Sequence, residues 1–170
     1  SETDANGHTT NYTYDALNRL TMSLRGGAEA ISYTYDAAGR KTQMVDEIGT
    51  TSYEYNVINR LTKVSYPDGR KVSYQYDGVG NLTKMTDAES GETNYTYNSV
   101  NFPTQLTNPD SETTSYEYDA LGRRTKTTNA NTTTANFTYN SMSRLTKLEN
   151  KKSDASVISS YEYSYDYAGN

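Results

Sequence analysis

The 170-residue chain has no cysteine and no tryptophan. Without cysteine, no disulfide framework can staple it. There is one histidine, His8, so Ser-His-Asp, Cys-His and His-based zinc sites have little to be built from. Neither a Walker A nor a dinucleotide-binding glycine pattern occurs. Carboxylates are plentiful, but none stands out from its surroundings as half of a glycosidase pair. No apolar run approaches the 18 or so residues of a membrane span. The first residues, SETDANGHTT, lack the basic and apolar regions of a signal peptide. Net charge is −5 and is spread along the chain with no basic stripe, which argues against a nucleic-acid partner. No catalytic, cofactor-binding or metal-binding residue is therefore expected, and the chain does not read as an enzyme.

What the chain has is tyrosine, 18 of them, and they recur. The tripeptide Tyr-x-Tyr, once Phe-x-Tyr, returns about every 21 residues. Its second tyrosine serves as a marker: Tyr14, Tyr35, Tyr55, Tyr76, Tyr97, Tyr118, Tyr139 and Tyr165. A fixed period of this size denotes one supersecondary unit copied along an array. Low hydrophobicity and abundant Thr, Asn and Ser would suit disorder. Regular aromatics and strand-favouring Thr and Tyr argue instead for ordered β structure. The unit boundaries read as 11–31, 32–51, 52–72, 73–93, 94–114, 115–135, 136–160 and a partial 161–170. Residues 1–10 resemble the tail of a preceding repeat, so the chain reads as a piece of a longer array whose units join head to tail.

Aligned copies show which positions vary. Two residues before the marker stand Tyr12, Tyr33, Tyr53, Tyr74, Tyr95, Tyr116, Phe137 and Tyr163. The ring is kept there, while the hydroxyl is dispensable at least once. Residues two apart on a strand share a face, so each unit points two rings the same way. Such rows suit cross-strand packing, or a platform for stacking sugars.

After the marker come Asp15, Asp36, Asn56, Asp77, Asn98, Asp119, Asn140 and Asp166. Asp and Asn share an acceptor oxygen but not a charge, as an Asx-turn requires and a calcium ligand or general base does not. Four residues after the marker stand Asn18, Gly39, Asn59, Gly80, Asn101, Gly122, Ser143 and Gly169, a column suited to positive φ in a tight turn. The next column, Arg19, Arg40, Arg60, Asn81, Phe102, Arg123, Arg144 and Asn170, suits a half-exposed side chain lying over a ring or carboxylate.

A second strand follows. Leu20, Leu61, Leu82 and Leu145 open it, then Thr21, Thr42, Thr62, Thr83, Thr104, Thr125 and Thr146, then Met44, Val64, Met85, Leu106 and Leu148. The two apolar columns have opposite parity, so either both faces are partly covered or a bulge intervenes. Tyr66-Pro67-Asp68-Gly69 and Asn108-Pro109-Asp110 mark turns between units. Each unit thus reads as two antiparallel strands with two turns and no helix.

The segments Ser73-Tyr74-Gln75-Tyr76-Asp77-x-x-Gly80-Asn81-Leu82-Thr83 and Ser115-Tyr116-Glu117-Tyr118-Asp119-x-x-Gly122-Arg123 resemble the YD repeat, also called the Rhs repeat. The resemblance extends over essentially the whole chain. It implies an all-β array that winds into a long curved or spiral sheet, as a shell wall or fibre. Similar repeats occur in bacterial Rhs toxins, insecticidal toxin-complex shells, wall-associated proteins and teneurins. The C-terminal aspartate-protease segment of the shell-forming proteins has no counterpart in this sequence. The resemblance therefore implies a non-catalytic structural segment of a larger secreted or cell-surface bacterial protein. Its partners would be other YD repeats of the same or neighbouring chains, with an enclosed toxin domain or surface glycans beyond them. The alternative is a carbohydrate- or cell-wall-binding module using exposed tyrosine rows.

Overall fold

The computed structural model describes residues 1–27 and 29–169. These residues form sixteen strands and no helix. They are β1 (Glu2–Thr3), β2 (Thr9–Tyr14), β3 (Leu20–Arg25), β4 (Glu29–Tyr35), β5 (Lys41–Val45), β6 (Thr50–Tyr55), β7 (Leu61–Ser65) and β8 (Lys71–Tyr76). They continue with β9 (Leu82–Thr86), β10 (Glu92–Tyr97), β11 (Pro103–Thr107), β12 (Thr113–Tyr118), β13 (Arg124–Thr128), β14 (Thr134–Tyr139), β15 (Leu145–Lys151) and β16 (Val157–Glu162). Strand neighbours follow chain order and pair antiparallel. The chain divides into two compact units, Ser1–Gln75 with Met85–Ser90, and Tyr76–Lys84 with the residues from Gly91 onward.

The parity conflict between the apolar columns is resolved by a bulge. Across β4–β5, Thr34 faces Gln43 and Tyr35 faces Lys41, leaving Thr42 unpaired. The same step leaves out Thr21, Thr62, Thr104, Thr125 and Thr146 in their hairpins. The recurrent threonine is thus the extra residue of a β-bulge. Its hydroxyl reaches across the hairpin, from Thr21 to the Thr13 carbonyl at 3.1 Å and between Thr42 and Thr34 at 3.1 Å. Removing one residue from the count brings both apolar columns onto the tyrosine face. Tyr33 then pairs with Met44, Tyr53 with Val64, Tyr95 with Leu106 and Phe137 with Leu148.

The opposite face is polar. Between the two rings of each unit sits an exposed residue. Glu54 and Glu117 there pair with Lys63 and Lys126 across the hairpin, at 2.7 and 3.0 Å. Among the described residues only Val64 and Thr51 are buried, and neither completely. The sheet therefore has no second layer packed on it. It is held by its hydrogen-bond ladder, its half-buried ring pairs and its turns, the contacts that cross-strand pairing supplies.

The turns that follow the marker tyrosines share one construction. In the turn of residues 15–19 the Asp15 N–H donates to the Arg19 carbonyl and the Asn18 N–H donates back to the Asp15 carbonyl, both at 3.0 Å. This is a type I turn closed by a residue in the left-handed region. That residue is Asn18, Gly39, Asn59, Gly80, Asn101, Gly122, Ser143 or Gly169, all with φ between 57° and 109°. The copies with Phe102 and Ser143 close the same turn as the others.

Candidate functional site: the junction between units

The junction begins at the Asx residue. Asp15 Oδ1 accepts the N–H groups of Leu17 and Arg19 at 2.9 and 3.0 Å. Asp36, Asn56, Asn98, Asp119 and Asn140 accept from the same two positions of their turns. Asp77 accepts from Val79, Gly80 and Asn81. One oxygen does this work, so Asn serves as well as Asp. In Asp15, Asp36 and Asp119 the second oxygen takes the arginine four residues on. Arg19, Arg40 and Arg123 each place Nε and Nη2 on that oxygen at 2.6–2.7 Å. These bonds hold the carboxyls below their ordinary range. For Asp15 and Asp36 the largest cause is the arginine's backbone N–H, and for Asp119 its side chain. Burial pushes Asp77 upward, but its bonds from Asn81 and Gly80 outweigh that and leave it lowered.

The arginine then crosses to the next unit. Arg40 Nη1 donates to the Asn56 carbonyl at 3.1 Å and to Asn59 Oδ1 at 2.8 Å. Its guanidinium lies 4.9 Å from the Tyr55 ring centroid. Arg19 sits over Tyr35, Arg123 over Tyr139 and Arg144 over Tyr165 at 4.8, 4.8 and 4.9 Å. Such cation–π contacts are worth about 0.5–1 kcal/mol when exposed and more when desolvated. Substitutions in this column keep one half of the role. Phe102 stacks on Tyr118 with centroids 5.1 Å apart. Asn81 keeps the polar half, joining Asp77 to Asn101 at 2.9 Å each. Asn170, the last of the column, lies outside the described residues.

The marker tyrosine completes the junction from the other side. Tyr35 donates its hydroxyl to the Leu20 carbonyl at 2.7 Å, and Tyr55 to that of Lys41 at 2.8 Å. Tyr97, Tyr118, Tyr139 and Tyr165 do the same to Leu82, Pro103, Arg124 and Leu145. Each bond spans from one unit to the second strand of the unit before it. Sequence reasoning assigned the markers to packing and missed this hydroxyl. The signal was present: the marker is Tyr in every copy, whereas its partner two residues earlier is once Phe.

The tyrosine rows are neither buried nor laid open. Rings inside the array are half-buried, whereas Tyr12, Tyr14, Tyr161 and Tyr163 are exposed. Tyr74 and Tyr76 lie on β8 in the same alternation. The residue six after the marker covers the rings two before it. Lys41 Nζ lies 5.6 and 4.5 Å from the Tyr33 and Tyr53 centroids, and Arg124 covers Tyr116 and Phe137. Pro103 holds that place between Tyr95 and Tyr116, where an open groove of about 370 Å³ remains.

Comparison with known proteins agrees with this geometry. The Teneurin YD-shell family model matches residues 2–87. The RHS Repeat model matches residues 76–113 and 97–134. No curated protein matches the chain. Among solved structures it is similar to the crystal structure of TcdB2-TccC3-TEV at 16% identity and a TM-score of 0.77, over 99% of this chain and 10% of that one. The TcdB2-TccC3 structure gives 17% identity and a TM-score of 0.74, over 96% of this chain and 10% of that one. The Photorhabdus luminescens Tc holotoxin pore gives 15% and 0.53, over 95% and 12%. The chain thus spans about a tenth of the length of those proteins. At these identities the likeness is one of fold.

Proposed function

The chain belongs to the Teneurin YD-shell family, and from that premise we propose that it is a wall segment: a non-catalytic structural stretch of a larger secreted or surface bacterial protein. The observation that carries this reading is the repeated junction. The polar groups kept from copy to copy are spent on joining one unit to the next. The Asx oxygen closes the turn, the arginine bridges to the following unit, and the marker hydroxyl bonds back to the preceding one. The Tyr, Asp and Gly columns are read as structural for the same reason. In a longer polypeptide such a wall would meet further YD repeats and would enclose or display another domain, for which a toxin is the natural candidate.

The groove at Tyr95, Pro103 and Tyr116 favours a second reading, a sugar-stacking module, because Pro103 stands there in the place from which Lys41 and Arg124 cover the rings of other units. Titration of the chain with cell-wall and β-glucan oligosaccharides, followed by tyrosine fluorescence and NMR, separates the two. The wall reading expects no saturable binding at millimolar ligand. Saturable binding that is lost on Tyr95→Ala or Tyr116→Ala, with the fold intact, would replace it with the binding module.

A further inference from the structure

Asn-x-Thr triplets stand at Asn11, Asn81, Asn94, Asn131 and Asn136. Each is the acceptor signal for an N-linked sugar. The fold treats them differently. Asn81 Nδ2 donates to Asp77 Oδ2 and to Asn101 Oδ1, both at 2.9 Å. Asn136 Nδ2 donates to Thr134 Oγ1 at 3.0 Å and to the Glu149 carbonyl at 3.3 Å. A sugar on either nitrogen would break one of these bonds. Asn94 is half-buried on β10, opposite Thr107. Asn11 is exposed but fixed on β2, opposite Leu24. A triplet in a ladder has another strand about 4.8 Å away. An enzyme cannot close around it without opening that ladder.

Asn131 stands apart from these. It is exposed in the turn that joins β13 to β14. There the Asn129 N–H donates to the Thr133 carbonyl and the Thr132 N–H donates back to the Asn129 carbonyl, both at 2.9 Å. Asn131 Oδ1 accepts the Thr133 N–H at 3.1 Å and the Thr133 hydroxyl at 2.7 Å. Asn129 Nδ2 donates to that hydroxyl oxygen at 3.0 Å. The amide and the hydroxyl that the acceptor signal requires are thus held together outside any ladder. Turn chemistry accounts for the oxygen alone. At the same place in its own turn Asp154 accepts the Ser156 N–H and hydroxyl at 2.9 and 2.6 Å, and Asp68 accepts the Arg70 N–H at 3.0 Å. A carboxylate therefore does all that the turn asks. Asparagine adds a nitrogen, and Asn131 Nδ2 donates to no group among the described residues.

We propose that Asn131 is a glycosylation site, the acceptor that the folded array offers among its Asn-x-Thr triplets. The inference rests on the secreted or surface reading above. The co-substrate is a sugar activated as the pyrophosphate ester of a nucleotide or a polyprenol. The Asn131 amide nitrogen attacks the anomeric carbon of that sugar. A C–N bond forms, and the C–O bond to the pyrophosphate breaks with its electron pair on the departing phosphate oxygen. One amide proton passes to a base of the transferase.

The folded full chain is incubated in two arms, and modified sites are mapped by mass spectrometry. One arm holds a soluble sequon-reading transferase with UDP-glucose. The other holds an oligosaccharyltransferase with a polyprenyl-pyrophosphate oligosaccharide. The arm that modifies Asn131 identifies the donor. Asn131 should react at least about tenfold faster than the other triplets, which react only through local opening. In peptides cut from the same chain that preference should vanish. Asn131→Asp keeps the turn oxygen, so it should abolish the modification with an unchanged far-UV spectrum. Thr133→Val should abolish it too, and Thr133→Ser should retain it. Failure of Asn131 in both arms, or equal reaction at the strand sites of the folded chain, overturns the proposal. The chain from its producing cells should carry a sugar on Asn131. An exported chain with a bare Asn131 overturns the proposal and leaves the wall reading standing. A chain kept inside the cell overturns the wall reading, and the proposal with it.

Discussion

At the scale of single residues, the junction explains which substitutions the array tolerates. Asn140 caps its turn as an Asp would, but it offers Arg144 an amide where Asp15 offers Arg19 an oxygen. Arg144 Nε is consequently buried without a hydrogen-bond partner, and its Nη2 rests on the Met142 sulfur. An unsatisfied buried donor costs about 1–3 kcal/mol. Asn140→Asp should therefore stabilise the protein by about 1 kcal/mol, read as a raised denaturant midpoint at pH 7. The gain should shrink as pH falls below the free carboxyl value of about 3.9 and through the lowered value of the paired carboxyl. The native turn carboxyls give a second expectation. Asp15, Asp36, Asp77 and Asp119 are lowered in the folded state, so the unfolded chain binds more protons near its own carboxyl pKa of about 3.9. Their contribution is full above that pH and is lost as pH falls through the lowered folded values. An acid titration should show the urea midpoint level near neutrality and falling below about pH 4. A midpoint flat down to pH 2 would contradict the ion-paired turns.

At the scale of elements, the turns set the register and carry the strain. Gly122 has φ +78°, and a Cβ built there would stand 2.7 Å from the Phe102 ring. Gly122→Ala should destabilise by more than about 1 kcal/mol from backbone conformation alone. Replacing Phe102 with Ala in the same chain should recover only the clash. Thr132 poses the reverse case, a β-branched residue at φ +65°. Thr132→Asn should raise the thermal midpoint, because Asn accepts that conformation more readily. Much of this level was legible in the sequence. Alternation of Asp with Asn specifies an acceptor, and alternation of Gly with Asn specifies positive φ. The bulge was legible only as a choice. Opposite parity of Leu61 and Val64 fits either two covered faces or one extra residue, and only the pairing of Glu54 with Lys63 and of Tyr55 with Leu61 decides it.

At the scale of the whole molecule, stability resides in steps between units, as repeat architectures require. With almost no buried side chains, each step depends on a few directed contacts instead of a shared core. The period was visible in the tyrosine spacing, the all-β class in that spacing together with the strand-favouring Thr and Tyr, and the repeat family in the resemblance of the segments Ser73–Thr83 and Ser115–Arg123 to the YD repeat. The hydroxyl bridge was missed because a sequence shows that a tyrosine is kept, and not which unit its oxygen reaches.

The central claim is that marker hydroxyls stitch units together while the neighbouring rings only pack. Two variants of the full chain compare these roles directly by urea unfolding. One carries Phe at markers 35, 55, 97, 118 and 139; the other carries Phe at positions 33, 53, 95 and 116. At about 0.5–1.5 kcal/mol per lost hydrogen bond, the first should lose most of its unfolding transition, and the second should keep a midpoint close to that of the parent. Equal losses in the two variants, or a folded and unshifted marker variant, would contradict the account.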